Sequence, residues 1–132
     1  MQVHVLRLAP GEDLRPALLR KLREQEVGAA CVLSAVGSFS RAVLRYADAA
    51  QGTVLEGPLE LVTLAGTLSP DGAHLHASVS DAQGQVRGGH VMPGCIVRTT
   101  AEIVLALLTD WEFRRVLDPA TGYPELVARK QQ

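Results

Sequence analysis

The chain has 132 residues, 47% hydrophobic and 20% charged, with a formal net charge of −1. That length suits one domain, residues 1–132, able to bury a sizeable core. The balanced charge gives no support for strong electrostatic attraction to nucleic acid or an anionic membrane, which usually shows as a basic patch or stripe. Cys31 and Cys95 stand far apart with no metal-knuckle spacing, and read as buried thiols of a reducing compartment. The N-terminal MQVHVLRLAP lacks a signal-peptide pattern, and the most apolar segment, Ala101 to Leu108, is too short to span a bilayer. The expectation is a soluble, cytoplasmic protein.

Residues 2 to 8 alternate and predict a first strand, stopped by Pro10-Gly11. Asp13 is placed to cap a helix running to about Gln25, with Pro16 tolerated in its first turn. Leu14, Ala17, Leu18 and Leu22 share one helical face, and Arg15, Arg20, Lys21 and Arg23 are expected on or near the solvated side. ACVLSAVGSFS then reads as a strand reaching a corner at Gly37-Ser38, and Arg41 to Ala47 as another. Thr53 to Leu55 starts a strand that breaks at Gly57-Pro58, and Leu59 to Leu68 forms a longer one. The Ser69-Pro70-Asp71-Gly72 turn closes it. Cys95 to Leu108 is a further strand, rich in β-branched residues. Beyond it, Phe113 to Leu117 is expected as a short helical turn and Glu125 to Ala128 as a short edge strand. Short turns favour antiparallel neighbours, so the class is α+β. Leu59 to Leu68 and Thr99 to Leu108 are apolar on both faces, which requires a sheet that curls on itself or a partner subunit that covers it.

The stretch with most chemistry is SPDGAHLHASVSDAQGQVRGGHVMPG, Ser69 to Gly94. In a strand, His74 and His76 point to one face with Ser78 and Ser80, while Leu75, Ala77 and Val79 point to the other. The segment after Ser80 turns the chain. A three-residue loop, Ala82 to Gly84, pairs Asp81 with Gln85 and sets His76 opposite His90. A two-residue loop would oppose His76 to Gly89, so the cluster depends on register. In the first register three imidazoles converge, as a zinc site with an open fourth position requires.

The order GEDLRPALLRKL, SAVGS, GPLELVTLAGTLSPDGAHLHASVSDAQGQVRGGHV, TTAEIVLALL and LDPATGYPEL resembles the PPC domain (plants and prokaryotes conserved), from Gly11 to about Val127. The resemblance implies a mainly antiparallel sheet of about seven strands flanked by a few helices, assembled as a homotrimer. It implies that His74, His76 and His90 bind a metal, zinc foremost. In plants the domain follows AT-hooks in nuclear DNA-binding proteins; this chain has no Arg-Gly-Arg-Pro motif, and corresponds to the stand-alone prokaryotic type.

Other candidates have plainer readings. Cys95, beyond the Pro93-Gly94 corner, is a weak fourth ligand. Gly88-Gly89 permits either close approach of a ligand beside His90 or a bend in the strand. Glu102 could accept a hydrogen bond from an imidazole or act as a base, but reads better as a rim carboxylate paired with Arg98. Gly37-Ser38 could offer N–H groups to an anion, a plain turn being simpler. Arg114-Arg115 reads as solvated or ion-paired, and His4 as structural. The function expected is that of a homotrimeric, non-enzymatic regulatory or DNA-associated protein with a three-histidine metal site. The alternative is a small metal-dependent enzyme or metabolite-binding protein using the same histidines.

Overall fold

In the computed structural model, which describes residues 1–132, eight strands and one helix follow the chain as β1 (Gln2–Leu8), α1 (Leu14–Glu24), β2 (Ala30–Arg45), β3 (Thr53–Ser69), β4 (Gly72–Ser80), β5 (Val86–Val91), β6 (Ile96–Leu107), β7 (Trp111–Asp118) and β8 (Tyr123–Lys130). The fold is α+β, with a single helix in place of the few implied by the resemblance. Six strands form one antiparallel sheet in the order β1-β6-β2-β3-β4-β5, and β7-β8 forms a separate hairpin. The end of β5 returns to β2, pairing Leu44 with Val91 and Arg45 with His90. Strands β2 to β5 therefore curl into a closed loop of hydrogen-bonded neighbours.

Helix α1 forms where expected and buries Leu14, Ala17, Leu18 and Leu22. These side chains join Leu8, Phe39, Leu44, Leu68, Leu75, Ile103 and Leu105 in one apolar core, where close packing adds to the transfer of apolar area from water. Asp13 occupies the N-cap position, but its side chain makes no cap bond. Instead its Oδ2 accepts from the Gly94 N–H at 2.9 Å, tying the helix start to the segment before β6.

Two expected breaks are absent. The chain runs through Gly37-Ser38 and through Gly57-Pro58 within single strands, β2 and β3. Gly37 lies so close to the Thr100 and Ala101 backbone of β6 that a Cβ would collide with it. A Cβ on Gly57 would fall 2.7 Å from the Phe39 carbonyl, beside the register shift between Phe39 and Arg41. Both glycines mark close strand approach rather than corners. The expected helical turn at Phe113 to Leu117 is also absent, because those residues pair with β8 from Phe113↔Ala128 to Leu117↔Pro124. Glu125 to Ala128 is extended as expected, within β8.

Candidate metal centre

The histidine face is fixed by the β4–β5 turn. Asp81 N–H donates to the Gln85 carbonyl at 3.0 Å, and Asp81 Oδ1 accepts from the Gln83 and Gln85 N–H groups at 2.9 and 3.0 Å. Gly84, at φ 79°, completes a three-residue loop in a backbone region that favours glycine. Counting outward, Ser80 pairs with Val86, Ser78 with Gly88 and His76 with His90. On the other side of β4, His74 opposes Thr67 and His76 opposes Ala65. Leu75 and Ala77, of opposite parity, are buried beneath.

The three rings lie with centroids 5.2, 5.3 and 5.7 Å apart, and one nitrogen from each falls within 4.8 Å of the others. Three neutral imidazoles at this separation are a donor set that suits zinc and related divalent ions. Zinc at about 2.0–2.1 Å from each nitrogen needs donors closer together than this limit. Burial first, then the charge of Arg45, pushes His90 down to about pKa 4. Burial first, then the charge of Arg115, lowers His74. Both effects favour the neutral ligand form.

Two glycines, paired with Ala77 and Leu75 of the opposite face, allow close backbone approach next to the histidines. A Cβ on Gly89 would come 2.8 Å from the Arg45 carbonyl, so the backbone that approaches Gly89 is the chain's own β2. Gly66, at φ 141°, lies across from Leu75, and a Cβ there would collide with the His74 carbonyl. Sequence reading missed Gly66 because a glycine within an apolar strand carries no distinct signal.

Cationic side chains surround the histidines. Arg15 is half-buried rather than solvated, and donates to the carbonyl of Ala73, next to His74. Arg45 sits opposite His90. Arg115 donates to Thr67 Oγ1 at 3.0 Å, and Thr67 is the cross-strand neighbour of His74. The expected Arg114-Arg115 pair thus divides: Arg114 meets Glu112 at 2.6 Å and Asp71 at 3.8 Å, while Arg115 turns toward the histidines. Glu125 is the one carboxylate whose charge raises His74.

Other candidates lie elsewhere. Cys95 is buried, its thiol held near the Val43 and Met92 carbonyls and pushed up to about pKa 11 by burial. Glu102 is exposed on β6 opposite Arg7 and Val36, with two strands between it and β4, and forms no ion pair with Arg98. Gly37 and Ser38 lie in mid-strand, paired with Leu61 and Glu60 of β3 rather than forming a turn, and Ser38 Oγ bonds Thr99 Oγ1 at 2.8 Å. His4 lies on β1, outside the cluster.

The Plants and Prokaryotes Conserved (PCC) domain matches residues 1–109. The chain belongs to the PCC domain family. Among its relatives, "Bifunctional protein GlmU" of Synechococcus sp. (strain JA-3-3Ab) is 52% identical over 98% of this chain, and 21% of that protein is covered. "AT-hook motif nuclear-localized protein 10" of Arabidopsis thaliana is 34% identical over 83% of this chain, covering 34% of that protein. This PCC chain therefore spans about a fifth to a third of the length of these curated relatives. A hypothetical protein from Salmonella cholerae-suis has the same fold, with a TM-score of 0.96 and 38% identity over 99% of this chain and 95% of that one. The metal-containing protein of Archaeoglobus fulgidus follows with 0.81 and 27%, over 96% and 94%. No helix of this PCC chain is long and apolar enough to cross a membrane.

Proposed function

We propose that this PCC chain is a homotrimeric regulatory protein of the cytoplasm, DNA-associated in function, that holds zinc or a similar divalent metal on His74, His76 and His90. The observation carrying the metal reading is the convergence of three imidazole nitrogens within 4.8 Å on one sheet face. The relative from Archaeoglobus fulgidus, described as metal-containing, supports it. DNA association is supported by the AT-hook relatives. The net charge of −1 limits that association to weak, strongly salt-dependent binding by this chain. The cytoplasmic reading draws on two free cysteines. A bound metal would supply Lewis acidity and an open coordination position; the strand register brings the imidazoles together, and burial with nearby guanidiniums favours the neutral form of His74 and His90.

Metal analysis of tag-free protein tests this directly. About one zinc per subunit is expected in the wild-type chain, and its loss in His76→Ala. Substoichiometric metal that does not fall in the variant would refute the site. A second reading, a small metal-dependent enzyme or metabolite binder, is favoured by one feature: three ligands leave a position free for exchange. Turnover abolished both by chelator and by His90→Ala would establish it.

A further inference from the structure

We propose that the histidines form one half of a composite site whose other half is Arg15, Arg45 and Arg115, and that its ligand is a small oxyanion-bearing molecule, a carboxylate or a phosphate. One ligand oxygen takes the metal's open position and another meets a guanidinium. This inference rests on the metal reading above and names the ligand class of the same site.

The placement argument starts from strand register. Residues directly opposite in an antiparallel pair share a face. Thr67 with His74, His76 with His90, and Arg45 with His90 therefore extend one face across β3, β4, β5 and β2. Arg115 reaches that face from the β7-β8 hairpin through its bond to Thr67, and Arg15 reaches its end from α1 through the Ala73 carbonyl. Each of three separate elements thus delivers a guanidinium to a residue adjoining a histidine.

Charge then selects the ligand. All three metal donors are neutral, so a divalent ion keeps its full charge. The guanidiniums are not neutralised either. Arg15 and Arg115 donate side-chain bonds to uncharged partners, and Arg45 enters no salt bridge or side-chain hydrogen bond. Glu125 alone opposes them near His74. Such a surplus of positive charge beside an open coordination position calls for an anion, and guanidinium geometry suits two-oxygen groups in particular. Three arginines on one local face do not form the extended track that a nucleic-acid backbone needs, which favours a small molecule.

The test uses the full, tag-free chain loaded with cobalt(II), whose visible spectrum reports changes in its ligands. Inorganic phosphate and malonate are titrated separately. The expected result is a saturable spectral change with at least one of them, and the one that responds identifies the oxyanion class. Arg45→Gln together with Arg115→Gln should leave cobalt content unchanged and weaken anion affinity at least tenfold. Arg45→Gln alone carries the test if the double variant misfolds, because the Arg45 side chain makes no bond in the fold. Cobalt uptake with no response to either anion, or unchanged affinity in the arginine variants, would overturn this inference while leaving the metal site intact. Failure to take up cobalt or zinc would overturn both. A short DNA duplex that displaces the anion at lower concentration than phosphate would overturn the small-molecule assignment.

Discussion

His90 joins three constraints: it closes β5 onto β2, faces His76 across β4, and stands beside Arg45. Its depressed pKa has a direct thermodynamic consequence. The unfolded chain protonates this residue near 6.5, the folded chain only near 4. Between those values the unfolded state binds more protons, so stability falls as pH drops from 6.5 to about 4 and this contribution levels off below. In metal-free protein, an NMR titration should follow the His90 ring to about pH 4, with the urea midpoint declining over the same window. A ring titrating near 6.5 would contradict the burial and the nearby guanidinium. The parity of His74 and His76 was legible in the sequence because side chains alternate in any strand. The partnership of His76 with His90 was legible only conditionally, since nothing local distinguishes a three-residue loop from a two-residue one until Asp81 is seen bonding Gln83 and Gln85. The arginines were not legible. Arg45 and Arg115 reach the histidines by pairing across the sheet and by hairpin docking, which are long-range facts.

At the level of elements, α1 and the alternating strands carried clear periodic signals, and they form where expected. The long strands β2 and β3 were read as broken because glycine and proline are ordinarily punctuation. Here Gly37 and Gly57 make room for neighbouring backbone instead. The β7-β8 hairpin was obscured for a different reason. Phe113 is buried against the body of the fold, whereas Val116, Leu117 and Tyr123 are exposed, so the usual apolar alternation is diluted. The hairpin is held by a bond from the Phe113 N–H to the Gly28 carbonyl at 3.1 Å and by Asp71 Oδ2 accepting from the Arg115 N–H at 2.8 Å. Phe113→Ala should cost about 3 kcal/mol, mostly in hairpin docking. Hydrogen exchange should accelerate across residues 111–130 and stay unchanged in β4 and β6. Uniform acceleration would mean that the hairpin is integral to the core.

For the molecule as a whole, the closed loop of β2 to β5 answers half of the question posed by strands that are apolar on both faces. Curling hides one face of the sheet. The other keeps Val3, Val5, Leu33 and Val36 more than half exposed, at 57%, 69%, 52% and 54%. Val5 and Ser34 both flank Val104, and Val36 lies across from Glu102, so this strip runs over β1, β6 and β2. The proposed trimer gives it a use, since an apolar strip of this extent is a common mark of a subunit interface. Light scattering should give three subunits for the wild-type chain and one for Val36→Asp. A wild-type mass of one subunit would remove the trimer and leave the strip without a role.

The match to the PCC domain ends at residue 109, before the hairpin begins at Trp111. Arg115 and Glu125, which bring opposite charges to His74, belong to that hairpin. The hairpin shares no ladder with the six-stranded sheet, and is tied to it through the Arg115 guanidinium on Thr67 and the Arg115 N–H on Asp71. In the proposed site, a different hairpin would take away Arg115 and Glu125 while Arg15 and Arg45 stay beside the imidazoles.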